Sequence, residues 1–240
     1  MRPSINDIRR AAERIHPHVH RTPVMTCQSL NEQVGAEVFL KCENLQKVGA
    51  FKFRGACNAV FSLSTAEAAR GVLAHSSGNH AQALALAARL RGIPAYIVMP
   101  SNASAVKLAA VAGYGGQVTL CEPTLADREQ VQAELADRTG ASVVPPYNDF
   151  RVIAGQGTAT LELLDVHPDL QVIMAPVGGG GLLSGTAIAA TESSSTIRVI
   201  GAEPEQADDA YRSLAAGRII AAANAQTIAD GLRASLGDLT

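Results

Sequence analysis

Residues 49–55 read Gly-Ala-Phe-Lys-Phe-Arg-Gly, which sets Lys52 between two phenylalanines and between glycines. An amine acts as a nucleophile or base only after losing its proton, and apolar surroundings disfavour the ammonium form. A lysine held this way is a candidate to form a Schiff base with a carbonyl compound. Taken alone, the residue reads more readily as a snorkelling lysine on a half-buried helix, since most lysines lie at the surface. Two further motifs favour the chemical reading.

The first is Ser-Ser-Gly-Asn-His-Ala-Gln, residues 76–82, between an apolar run and a helical pattern. Ser76 and Ser77 bring hydroxyls, Gly78 permits a tight turn, and Asn79 can cap the helix or reach a ligand. Backbone N–H groups at a helix start bind anions such as carboxylates. A plain N-cap accounts for one Ser or Asn, not for the whole cluster with His80. The second motif is Gly178-Gly179-Gly180-Gly181, again between an apolar run and a helical pattern. Four glycines cost backbone entropy and make an amide nest suited to phosphate. A dinucleotide turn is the rival reading, with Glu203 as its acid. Its spacing fails, because Leu183 or Ser184 stands where the last glycine belongs. A single phosphate group is favoured.

Two other clusters are weaker. Glu203-Pro-Glu-Gln-Ala-Asp-Asp209 gathers carboxylates that could hold a hard cation, although a solvated acidic loop reads the same way. His16, His18 and His20 alternate as strand residues facing a metal would, but Pro17 breaks the pattern and no acid or cysteine completes a site.

The elements that must position these residues alternate between short apolar runs and helical patterns. VFLKCE (38–43), GVLAHS (71–76), AYIVMP (95–100), QVTLCE (117–122), QVIMAPV (171–177) and IRVIGAE (197–203) read as strands. Segments 80–92, 104–115 and 124–139, and the stretch after the glycine run, read as helices. This alternation indicates βαβ units and largely parallel sheet, with a site at strand ends. PPYND (145–149) is a plausible crossing between two closely packed α/β lobes. Aromatic residues make up 4% of the 240 residues, so the core must be aliphatic and alanine-rich. The net charge of −2 without a basic cluster argues against nucleic acid. Cys27, Cys42, Cys57 and Cys121 lack metal or disulfide spacing, which suggests a reducing, cytoplasmic compartment. No run of about 18 apolar residues predicts a membrane span, and the N-terminus has no apolar signal-peptide core.

A Schiff-base lysine, an anion loop bearing Asn79 and a phosphate nest together describe a pyridoxal-phosphate site. GAFKFRGA, HSSGNHAQ, PVGGGGLLSG, GAEPEQADDA and TIADGLRASLG occur in one order that resembles the threonine/serine dehydratase and serine racemase group of fold-type II pyridoxal-phosphate enzymes. The resemblance runs from about residue 4 to the end, with Ala50 where many members have serine. It implies a two-lobed, tryptophan synthase β-like α/β fold. The large cofactor-binding domain would comprise 1–68 and 149–240, and the small mobile domain 69–148.

By the same resemblance, Lys52 carries the cofactor, Phe51 packs on its ring and Asn79 bonds its phenolic oxygen. Gly178, Gly179, Gly180, Gly181 and Leu182 hold its phosphate. Ser76, Ser77, Asn79 and His80 grip the substrate carboxylate. In racemase-like members Glu203, the carbonyl of Ala207 and Asp209 bind magnesium or calcium. The implied activity is α,β-elimination from L-threonine, L-serine or 3-hydroxyaspartate to a 2-oxo acid and ammonia. Serine or aspartate racemisation, with Ser77 returning the proton, is the alternative. The partners implied are a small amino acid substrate and a second copy in a homodimer. The residue that bonds the pyridine nitrogen in such enzymes finds no match before the chain stops at Gly-Asp-Leu-Thr, which leaves a catalytically incomplete cofactor-binding fragment as a further expectation.

Overall fold

The computed structural model describes residues 2–222 and 225–240. Helix α1 (Ile5–Ile15) opens on a capping box in which Ser4 and Asp7 bond each other's backbone N–H. It is followed by β1 (Val24–Thr26), α2 (Gln28–Val34), β2 (Phe39–Lys41), α3 (Lys52–Phe61) and α4 (Thr65–Arg70). Next come β3 (Val72–His75), α5 (Asn79–Arg91), β4 (Ala95–Pro100), α6 (Ala105–Gly113), β5 (Gln117–Cys121), α7 (Leu125–Thr139) and β6 (Ser142–Val143). The chain continues through α8 (Phe150–Val166), β7 (Val172–Pro176), α9 (Gly181–Ser193), β8 (Arg198–Ala202) and α10 (Asp209–Ala216).

The alternating pattern folds as expected for α/β. Strands β5-β4-β3-β6 form a parallel sheet and β7-β8 a parallel pair, while β1 and β2 pair antiparallel. Helices α5 and α7 stop where Gly92 and Gly140 adopt left-handed backbone, the conformation that glycine enters without steric cost. One departure concerns the histidine run. His16 caps the end of α1 rather than lying on a strand, His18 stacks on Phe61 at 4.0 Å, and His20 Nδ1 meets the Leu45 carbonyl at 3.1 Å. Among the described residues no helix is long and apolar enough to cross a membrane, and no group of three or more His, Cys, Asp or Glu side chains forms a metal-binding cluster.

Helix α3 is buried all round, from Phe53 through Val60. Its apolar residues share one core with Ile15, Leu84, Ala88 and Ile97, so the β3–β6 sheet and the N-terminal helices pack as neighbours. On its other side, α3 touches α8 backbone to backbone, and α8 touches α9 likewise. A Cβ on Gly155 would lie 2.6 Å from Gly55 Cα. A Cβ on Gly185 would lie 2.5 Å from the Ile153 carbonyl and 2.6 Å from Gly157 N. These contacts set the start of α3, where Lys52 sits, at a fixed distance from the start of α9, where the glycine run sits.

Gly185→Ala should therefore destabilise the fold by about 1–3 kcal/mol. That corresponds to roughly 2–4 °C of Tm per kcal/mol for a chain of this size. Gly113→Ala, which meets open space at the end of α6, should hold or raise Tm. Equal melting temperatures for Gly185→Ala and the parent would contradict the close helix contact.

Candidate active site

Residues 144–149 tie the site together. Their entry is fixed by Val144 N–H donating to the Leu73 carbonyl on β3 (2.9 Å). Their exit is fixed by Asp149, whose carboxylate accepts from the N–H groups of Arg151 (2.7 Å) and Val152 (3.3 Å) and so caps α8. Between these ends, Pro145 and Pro146 have no N–H to pair, and the backbone carbonyls turn to side chains instead.

Lys52 is the first residue of α3. Just before it the chain turns through Val48 (φ 58°) and Gly49 (φ 69°). Left-handed backbone at a β-branched valine is a strained conformation held by its surroundings. Lys52 Nζ donates to the Pro146 carbonyl at 2.7 Å and lies 5.3 Å from the Phe51 ring centroid and 5.7 Å from that of Tyr147. Burial pushes the amine down from 10.5 to about 8. A substantial neutral fraction is thus present in mildly alkaline solution.

His80, the second residue of α5, is fully buried, with Nε2 at 2.7 Å from the Val144 carbonyl. A carbonyl only accepts, so Nε2 carries the hydrogen and Nδ1 holds a lone pair. Nδ1 is buried without a partner. Burial, then the charge of Lys52, push this imidazole down from 6.5 to about 3. The neutral ring offers a carboxylate no donor; only the His80 backbone N–H can. The helix begins at Asn79, with Gly78 as the N-cap, so Asn79 does not cap α5; its exposed side chain makes no hydrogen bond among the described residues. Ser76 Oγ accepts from Gly78 N–H at 3.3 Å. Among the described residues the N–H groups of Ser77, Asn79, His80 and Ala81 have no acceptor, which leaves a positive helix end facing outward.

The glycine run turns β7 into α9, with Gly180 in left-handed backbone (φ 89°) as the N-cap. All four glycines are buried. A Cβ on Gly179 would stand 2.2 Å from the Tyr147 ring, and one on Gly180 2.6 Å from Thr240 Oγ1. Among the described residues none of the N–H groups from Gly178 to Leu183 finds an acceptor. Leu182 and Phe51 line one cavity of about 310 Å³. A larger cavity of about 500 Å³, between α1, α8 and Ser193–Ser194, contains none of these residues.

Several site residues carry no sequence signal of the kind read above. Asn148 accepts from Leu239 N–H (2.9 Å) and donates to Asp238 (2.6 Å), and Thr240 donates to the Gly179 carbonyl (2.9 Å), which seats residues 237–240 on the glycine run. Arg54 is wholly buried and bidentate to both Glu43 and Glu162 at 2.8–2.9 Å, with Lys41 closing the cluster on Glu162 at 2.6 Å. Burial alone would lower the Arg54 pKa, but the hydrogen bonds it donates to the two carboxylates raise it above its ordinary range. The adjacent Phe-Lys52-Phe hid this clamp, although an arginine inside an apolar helix is itself a signal of buried acids. Arg128 on α7 has a buried Nε without a partner, and Gln132, one turn further along, accepts from His75 N–H at 2.9 Å, directly before Ser76. Glu203 accepts from Ala210 (3.1 Å) and Tyr211 (2.9 Å) N–H at the start of α10. Asp209, also buried, accepts from Leu236 N–H (3.1 Å) through one oxygen and leaves the other without a partner.

A buried amine beside a nest of free amides is the arrangement that a phosphorylated aldehyde requires. The model of the family described as pyridoxal-phosphate-dependent enzyme matches residues 15–240. The chain belongs to this family. It is 54% identical to a serine racemase of Arabidopsis thaliana over 98% of this chain and 71% of the relative. It is 53% identical to a beta-hydroxyaspartate dehydratase of Paracoccus denitrificans over 99% of this chain and 76% of the relative. The solved structure of maize serine racemase superposes with a TM-score of 0.98 at 50% identity, covering 100% of this chain and 73% of that one. The fold is the fold-type II α/β arrangement of these enzymes. The residues present fit pyridoxal phosphate, because the six free N–H groups from Gly178 to Leu183 can take an anionic phosphate and Lys52 supplies the amine.

The neutral buried imidazole makes a prediction about acid. Folded His80 titrates at about 3 rather than 6.5, so the unfolded chain takes up the proton first as pH falls. Its contribution to stability is present above about pH 6.5 and is lost as pH falls toward 3. Urea unfolding at a series of pH values should show a shallower decline across this window in His80→Asn. An unchanged slope would contradict the assignment.

Proposed function

We propose that this chain carries the catalytic site of a pyridoxal-phosphate-dependent lyase that eliminates water from a 3-hydroxy amino acid and leaves a 2-oxo acid and ammonia. The observation that carries the reading is Lys52, an amine lowered to about 8 by burial and held on the Pro146 carbonyl beside the unpartnered amides of the glycine run. When bound, pyridoxal phosphate supplies an electron sink for negative charge at the substrate Cα.

The chain's residues do the rest. Gly178 to Gly181 and Leu182 would hold the phosphate through their unpartnered backbone N–H groups, with Phe51 and Asn79 as the residues that would hold the ring and its hydroxyl. The N-terminus of α5 binds the substrate carboxylate through backbone N–H groups, with the hydroxyls of Ser76 and Ser77 beside it. The neutral fraction of Lys52 takes the α-proton. Arg128, with a buried unpartnered Nε one turn from Gln132, supports recognition of a second carboxylate and so favours 3-hydroxyaspartate over serine and threonine. A serine racemase is the second reading. It is favoured by Ser77, whose hydroxyl makes no hydrogen bond among the described residues and is free to return a proton to the α-carbon. A magnesium or calcium ion belongs to the proposal: Asp209 keeps one oxygen without a partner, and the Glu203 carboxylate retains lone pairs beyond its two N–H bonds. The four cysteines are free, which suits a cytoplasmic setting.

Assays of L-threo-3-hydroxyaspartate, L-serine and L-threonine, each followed for ammonia, oxo acid and inverted amino acid, separate the readings. The proposal expects oxo acid and ammonia, fastest from 3-hydroxyaspartate. Arg128→Met should lower kcat/KM for 3-hydroxyaspartate by about 10- to 100-fold, the worth of a charge-assisted hydrogen bond, and leave serine nearly unchanged. Ser77→Ala should abolish inversion and spare elimination if racemisation occurs. No turnover of any of the three by the loaded protein would overturn the proposal. A thermal upshift with magnesium or calcium that is lost in Asp209→Asn supports the cation; no shift in the parent removes it.

A further inference from the structure

Tyr147 lies where the parts of the site meet, yet nothing in the elimination chemistry requires a residue there. Lys52 Nζ is hydrogen-bonded to the carbonyl immediately before it and stands 5.7 Å from its ring centroid. The same side chain fills the space in front of the glycine run: Cβ atoms on Gly179 and Gly181 would come within 2.2 and 2.9 Å of it. Its phenol is held above the ordinary range by burial and by the charge of Asp209, so it remains neutral.

We infer that Tyr147 is a positioning residue for Lys52, a ring wall braced on the glycine run that keeps water from the amine and holds it on the Pro146 carbonyl. The inference rests on the reading of Lys52 as the cofactor lysine. Phe51 also lies close, with its ring centroid 5.3 Å from the amine. Two effects of the Tyr147 ring oppose each other. A ring near an ammonium attracts it and favours the charged form, whereas excluding water favours the neutral form. The separation of 5.7 Å approaches the limit of a cation–π contact, about 6 Å. Burial is the cause of the lowered amine. Water exclusion therefore wins, and removing the ring should return Lys52 toward an ordinary lysine.

The test is trace acylation of the cofactor-free full chain from neutral to strongly alkaline pH, read lysine by lysine by peptide mass spectrometry. Only four lysines need resolving: Lys41, Lys47, Lys52 and Lys107. In the parent, Lys52 should label with a midpoint near 8, below the 10.5 of an ordinary lysine. Tyr147→Phe, which keeps the ring, should preserve that midpoint. Tyr147→Leu should raise it by about one unit or more, as expected when water reaches a desolvated amine. Gly179→Ala, which pushes the ring from behind, should raise it too and serves if the leucine variant folds poorly. A folded Tyr147→Leu or Gly179→Ala protein with the parent midpoint overturns the inference and leaves Lys52 as the cofactor lysine. A parent in which Lys52 labels with the midpoint of an ordinary lysine, near 10.5, overturns both.

Discussion

An amine buried without an acid is the constraint around which this protein is arranged. Lys52 has a carbonyl, Pro146 O, where a carboxylate would be the usual partner, and two aromatic rings where water would be. A carboxylate would stabilise the ammonium and remove the reactivity; a carbonyl holds the nitrogen in place while leaving the proton loosely bound. The elements that contribute to the site meet through the segment that provides this carbonyl. Val144 binds His80 at the start of α5, Tyr147 backs the glycine run at the start of α9, and Asn148 seats residues 238 and 239.

Such an arrangement needs a rigid frame, because a small shift of α3 would move the amine off its carbonyl. Two features supply it. Glycine-to-glycine contacts let α3, α8 and α9 approach at backbone distance, which side chains would prevent. The Arg54 cluster then bonds α3 to Glu162 on α8 and to Glu43 ahead of the site. A buried cluster of this kind is weak evidence of net stability, since desolvation offsets much of the attraction. In this packing every charge of the cluster has an opposite partner.

Much of the frame was legible in the chain. Strand and helix positions followed from apolar periodicity and from terminating glycines such as Gly92 and Gly140, because those signals are local. The lysine, the serine-rich loop and the glycine run were legible because each breaks a local expectation. What escaped were partners made only by folding. Tyr147 and Thr240 are ordinary residues until the chain brings them against Gly179, and Asn148 until it meets residues 237–239. Arg128 and Gln132 look like exposed-helix residues, and only the packing of α7 beside β3 reveals them. The tautomer of His80 is another such partner effect: it depends on Val144, 64 positions away, which leaves Nδ1 with a lone pair and no hydrogen to donate.

The most direct test of the account is chemical location of the cofactor. The full chain is loaded with pyridoxal phosphate, treated with borohydride to fix any imine as a stable amine, digested and analysed by mass spectrometry. Among the four lysines, the account predicts a pyridoxyl group on Lys52 alone. A label on Lys41, Lys47 or Lys107, or none on any lysine, would contradict it.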